Sequence, residues 1–315
     1  MISSKYAPVV IFAYNREEEI RNLIVSLSDN DLADQSDIIV FSDGPKDDRD
    51  LPAVENVRKY LDSIGEKDFF KSVCVYKSEN NKGLASSVIS GVTKVIGEYG
   101  RVIVLEDDLK ISKYFLVYMN SCLEYYRSDE RIWSVSGYTP ELNTLTGYDR
   151  DVYLSTRAFS NGWGMWSDRW DRIEWDADRL LKYAGNPRGR NMLGRGGNNL
   201  LEMLTAQKRG QIDSWAVRWC ASMCINNMYM VVPVRSLVEI GGLDNGTHSA
   251  PQDKERYHMS GYTDTDGSAD WCVEDLLPDE KINAELREIF HISMMRRMRI
   301  ELGYWRRRIR NREKK

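Results

Sequence analysis

The first 140 residues alternate short apolar runs with stretches of helical periodicity, an order that points to a mainly parallel sheet covered by helices. APVVIFAY (7–14), DIIVFS (37–42), KSVCVYKS (71–78) and RVIVL (101–105) read as strands. Helices are expected between them over 16–28 and 52–63, and the polar turn SDGPKDDRD stops the second strand. Leu84, Val88, Val92 and Val95 recur at spacings of four, four and three, which places one apolar stripe on a third helix. RVIVL lacks polar alternation, so it is expected to be buried on both faces.

Composition narrows the class further. With 315 residues, 42% hydrophobic and 29% charged, the chain is neither a disordered tail nor a fibre. No run approaches 18 apolar residues, and MISSKYAPVV lacks the pattern of a signal peptide, so a cytoplasmic protein is expected. Cys74, Cys122, Cys220, Cys224 and Cys272 are an odd number without CxxC spacing and read as reduced packing residues. Cys220 and Cys224 lie one helical turn apart, but no second pair completes a zinc site. Beyond residue 140 the alternation weakens and Trp163, Trp166, Trp170, Trp175, Trp215 and Trp219 crowd together. No linker or repeat marks a boundary, so residues 1–293 are expected to form one domain, with halves at 1–140 and 141–293. The stretch 241–267, rich in Gly, Ser, Thr and Asp, reads as a lid-like loop.

The feature richest in chemistry is RVIVLEDDLK, where a buried strand ends in Glu106, Asp107 and Asp108. Ligands of open α/β sheets bind at the carboxyl ends of strands, and three adjacent carboxylates there suit a divalent cation with oxygen ligands, Mn²⁺ or Mg²⁺. Asp107 or Asp108 could instead cap a helix over about 113–127. Both readings stand on the triplet alone.

The order strand, AYNR, strand, SDG, helix, strand, EDD resembles the nucleotide-sugar half of the GT-A glycosyltransferases, and especially N-acetylglucosaminyltransferase I and its bacterial relatives. The likeness runs from about Pro8 to His248 and is strongest over VIVLEDDLKISKYFLVYMNSCLEYYRSDERIWSVSGY. It implies a Rossmann-like GT-A fold and an inverting, metal-dependent transferase that uses a nucleotide sugar, UDP-linked in the first instance, and a glycan or glycolipid acceptor. It also implies that Asp108 binds the metal, that Glu106 and Asp107 contact ribose and sugar hydroxyls, and that Asp43 meets the uracil ring. Tyr14, Arg16 and Lys82 match positions near the nucleotide. The same residues also suit plainer roles, Asp43 in forming a turn and Arg16 and Lys82 as solvated surface charges.

In QIDSWAVRW the resemblance implies that Asp213 is the catalytic base, although Ser214 stands where the family has a second carboxylate. Asp213 could equally cap a helix from Ser214 to about Asn226. FSNGWGMWSDRW resembles the Gly-rich wall around the donor sugar; Gly162 and Trp163 are expected to line it, whereas Trp166 and Trp170 fall at helical spacing and read as core. His248 matches a loop that orders over bound donor, while His291 carries little information.

The net charge of −4 hides a segregation. Residues 294–315 hold ten Lys and Arg against two Glu, or +8, which leaves −12 for the rest. Met294, Met295, Met298, Leu302, Trp305 and Ile309 share one helical face, so a basic amphipathic helix on an anionic membrane surface is expected, with the protein's own core or a partner as alternatives. The acidic body argues against nucleic acid. Two other functions compete with the transferase reading. One is a glycan-binding protein on the same fold that has lost catalysis. The other is a sugar-nucleotide nucleotidyltransferase, which AYNREEEI disfavours because it lacks a Gly-rich phosphate loop.

Overall fold

The structure is a computed structural model that describes residues 5–241 and 273–293. The expected first half is present: β1 (Val9–Ala13), α1 (Glu17–Ser28), β2 (Asp37–Ser42), α2 (Leu51–Ile64), β3 (Ser72–Lys77), α3 (Leu84–Tyr99) and β4 (Arg101–Glu106). The apolar stripe of α3 is buried at Val88, Val92 and Val95, whereas Leu84 at its start is exposed. Val102 to Leu105 of β4 are fully buried, as a strand covered on both faces must be. Each such side chain stabilises the fold by roughly 1.5–3 kcal/mol.

The chain continues through β5 (Leu109–Ile111), α4 (Phe115–Tyr125), β6 (Ile132–Ser136), β7 (Val152–Ser155), β8 (Trp163–Trp166) and α5 (Ser167–Trp170). Then come α6 (Ala177–Tyr183), α7 (Pro187–Gly194), α8 (Asn199–Lys208), α9 (Trp215–Ile225), β9 (Tyr229–Pro233), β10 (Val238–Ile240) and α10 (Glu280–Ile289). Eight strands form one sheet in the order β3-β2-β1-β4-β8-β6-β9-β7, and β5 and β10 form a separate antiparallel pair. Strands from both halves of the chain therefore share a sheet. Within it β8 and β7 run against the other strands. The carboxyl ends of β1–β4, β6 and β9 consequently meet the amino end of β8 along one edge.

Asn side chains tie α4 to the sheet and to α1. Asn120 Oδ1 accepts the Ala7 N–H at 2.8 Å, and Asn30 Oδ1 accepts the Leu116 N–H at 3.0 Å. On the opposite face Trp163, Trp170, Trp215 and Trp219 pack together, with Trp163 and Trp219 ring centroids 4.7 Å apart. The spacing of Trp163 and Trp166 imitates a helix, but the two belong to β8, all four of whose residues are buried. Cys122, Cys220 and Cys224 are buried packing residues, whereas Cys74 is exposed on the edge strand β3, which corrects its assignment to the interior. Cys272 lies outside the described residues, as do 242–267 of the expected lid and the basic segment 294–315.

Glu285 fastens α10 to the body. Its carboxylate accepts the N–H groups of Asn143 and Thr144 at 2.8 and 2.9 Å, together with the Thr144 hydroxyl at 2.6 Å. Burial opposes ionisation there, but the hydrogen bonds from Thr144 and Asn143 prevail and lower the carboxyl's pKa below its ordinary value. This stabilisation is present above the ordinary glutamate pKa and is lost as pH falls through the depressed folded value. Glu285→Gln is therefore expected to cost about 1–3 kcal/mol at pH 7 and much less near pH 3 in urea unfolding. An equal cost at both pH values would contradict the assignment.

Candidate active site

In the order β3-β2-β1-β4 the chain reverses its direction of travel across the sheet at β1, so a crevice opens between the carboxyl ends of β1 and β4. Phe12 of β1 stands in register with Glu106 of β4. The segment leaving β1 therefore passes beside the acidic triplet, and Arg16 reaches it. Nη1 of Arg16 donates to Asp108 Oδ2 at 3.1 Å, and Nη2 forms a short ion pair with Asp107 Oδ1. Arg16 is thus neither merely solvated nor turned away from the triplet.

Burial most of all, then Asp108 and Asp107, push the Glu106 carboxyl up to about 8. Burial and the neighbouring aspartates thus favour the protonated form of Glu106. Burial likewise raises Asp107, to about 6, against the opposing pull of Arg16. Burial alone would lower the Arg16 pKa, yet Asp107 and Asp108 raise it. Asp108 is the more accessible aspartate, with 23% of its side chain exposed against 6% for Asp107. The helix-capping reading fails for both. α4 begins at Phe115, beyond β5, and has no side-chain cap.

Asp43, at the end of β2, is held by backbone donors of its own turn and of the 80–83 loop. Its buried carboxylate accepts the N–H groups of Gly44 at 2.9 Å, Lys82 at 2.9 and 3.2 Å, and Gly83 at 3.0 Å. These three backbone donors fasten the 80–83 loop against the end of β2. Beside it lies a slot of about 330 Å³ lined by Phe41, Asp43, Tyr76, Lys82, Gly91 and Lys94 among others. Phe41 and Tyr76 stack there with centroids 5.1 Å apart. Lys82 is among the residues that line this slot. Tyr14 is fixed by its hydroxyl, which donates to Asp50 Oδ2 at 2.5 Å and accepts the Lys46 N–H at 3.2 Å.

The amino end of α9 is directed toward the same edge. Trp215, its first residue, packs on Trp163, which pairs with Val104 just before Glu106. Ser214 is the residue that caps α9, accepting the Val217 N–H, so the capping alternative for Asp213 fails. The Asp213 side chain is 67% exposed and accepts from Arg218 Nη2 and Gln207 Nε2, each at 3.1 Å.

Trp163 itself is corrected. It is fully buried among Trp170, Trp215 and Trp219, so its indole face cannot stack on a sugar. Gly162 sits at the correct edge with a φ of +67°, where an added Cβ would lie 2.9 Å from Val238 Cγ2. Glycine is required there by conformation and by packing. His248 lies outside the described residues, and His291 is exposed.

The pairing of β5 with β10, which brings Gly241 beside the acidic triplet, has no local signal in the sequence. The Gly241 N–H donates to the Asp108 carbonyl at 2.7 Å, so Gly241 lies beside the triplet.

Among the described residues no three His, Cys, Asp or Glu side chains form a self-contained metal cage. The donor set still fits a hard cation. Mg²⁺-like ions are commonly held by one or two carboxylates together with substrate phosphates, and Asp108 is an accessible carboxylate at a strand end that carries more acid than base.

The eight-stranded sheet with its acidic β4 terminus has the GT-A fold of glycosyltransferases. Residues 9–129 match the family model for Glycosyl transferase family 2, a span that ends shortly before β6. Among solved structures, the crystal structure of S. aureus TarS 1-349 aligns with a TM-score of 0.45 at 12% identity, over 76% of this chain and 61% of that one. The crystal structure of S. aureus TarS gives 0.42 at 14% identity, over 72% and 35%. The chain thus spans less than two thirds of either. No curated protein matches it. These comparisons do not single out N-acetylglucosaminyltransferase I as the nearer likeness.

Proposed function

We propose that the protein is an inverting glycosyltransferase that moves a sugar from a nucleoside diphosphate, UDP in the first instance, to a hydroxyl of a glycan or glycolipid at the bacterial surface. The observation that carries this reading is the Arg16 and Glu106–Asp108 cluster at the β1/β4 crevice, within the segment that matches the family. The slot beside Phe41 and Tyr76 has room for the nucleobase, and Lys82 and Arg16 offer positive groups to the diphosphate. Glu106 and Asp107 can hydrogen-bond the ribose and sugar hydroxyls of the donor. A divalent cation bound with the donor would be held by Asp108 and would neutralise charge on the leaving diphosphate.

In the proposed reaction the acceptor oxygen attacks the anomeric carbon opposite the diphosphate. The carbon–oxygen bond to the diphosphate breaks, its electron pair leaves on the phosphate oxygen, and Asp213 takes the acceptor's proton. Arg218 and Gln207 hold Asp213 in place for this step. The segment 241–267, with His248, would supply a lid over bound donor, and 294–315 a contact with an anionic membrane surface.

A panel of nucleotide sugars tests the reading. At least one, a UDP-sugar in the first instance, is expected to be hydrolysed slowly in the presence of Mn²⁺. Sugar affinity without hydrolysis of any donor would instead favour a binding protein on this fold.

A further inference from the structure

The position of Arg16 bears on how the site is loaded. Its guanidinium bridges two carboxylates, with one Nη on Asp107 and the other on Asp108 at 3.1 Å. It thus already contacts the carboxylate that the proposed function assigns to the cation. A cation arriving at Asp108 would meet both an occupied oxygen and a like charge.

Arg16 is also placed to leave. It stands at the N-cap position of α1 yet makes no side-chain cap there, so moving it breaks no helix cap. Its side chain is 38% exposed, whereas its partner Asp107 is 6% exposed and cannot follow it into solvent. A guanidinium fork suits phosphate oxygens as well as it suits carboxylates.

We propose that Arg16 is the resident counter-ion of the acidic strand end, and that it yields Asp108 to a divalent cation only when the donor's diphosphate offers its guanidinium a replacement acceptor. The proposal rests on the glycosyltransferase reading. Cation and donor would then bind in a coupled way, each tightening the other, because the coupling free energy is reciprocal.

Calorimetry on the full chain, with Mn²⁺ titrated alone and in the presence of UDP, tests this. Arg16→Gln is expected to bind Mn²⁺ alone roughly tenfold more tightly than the wild type, and to gain correspondingly less from UDP. A variant that binds Mn²⁺ alone no more tightly than the wild type overturns the proposal. Because the variant strips Asp107 of its partner and could fail to fold, the wild type supplies a second readout, the side-chain ¹⁵N resonance of Arg16. At a Mg²⁺ concentration that saturates the ternary complex, this resonance is expected to stay in place with Mg²⁺ alone and to move once UDP is added. Movement with Mg²⁺ alone, or no movement with both, overturns the proposal. Failure of the wild type to bind Mn²⁺ even with UDP would instead remove the glycosyltransferase reading, and the proposal with it.

Discussion

Asp108→Asn is expected to abolish the Mn²⁺-enhanced binding of a nucleotide sugar and to lower transfer by about 10²–10³-fold, the usual loss when one electrostatic stabiliser of a developing charge is removed. The side chain is partly exposed, and Arg16 keeps Asp107 as a partner, so the variant should fold. Asparagine is nearly isosteric and removes the negative charge without opening a cavity. The measurement is donor affinity with and without Mn²⁺ in both proteins. An undiminished response to Mn²⁺ in the variant would remove Asp108 from the site.

The second large effect falls on the acceptor side. Asp213→Asn should leave donor affinity unchanged and lower single-turnover transfer by about 10²–10⁴-fold, the contribution of a positioned general base. The amide oxygen can still accept from Arg218 and Gln207, so the amino end of α9 should keep its place. Loss of a proton acceptor, and not of structure, is then what the rate reports. Full turnover by the variant would assign the proton to another group.

Much of the fold was legible because β1, β2 and β4 are apolar runs between strong breakers, and α3 carries an unbroken stripe through Val88, Val92 and Val95. The misreadings have physical causes. β8 is buried on both faces and so lacks alternation, while its tryptophans fall by accident at helical spacing. β5 has three residues, too few to show a period. The acidic triplet stood out in the sequence as a candidate site, but its partner did not. Arg16 meets Asp107 and Asp108 only because β1 lies beside β4, a neighbourhood that strand order decides and local sequence does not. The setting of Asp43 depends on strand order in the same way. Its donors Lys82 and Gly83 arrive from the far end of β3, so the residue that resembled a base reader is bound to a loop some forty positions away.

The central claim is that the carboxyl end of β4 receives the diphosphate of a nucleotide sugar. A crystal of the protein with UDP and Mn²⁺, measured at a wavelength where manganese scatters anomalously, tests it most directly. The account predicts an anomalous peak in contact with both the Asp108 carboxylate and the diphosphate, with Arg16 turned from Asp108 toward a phosphate oxygen. A diphosphate bound away from the β1/β4 crevice, or manganese that makes no contact with Asp108, would contradict it.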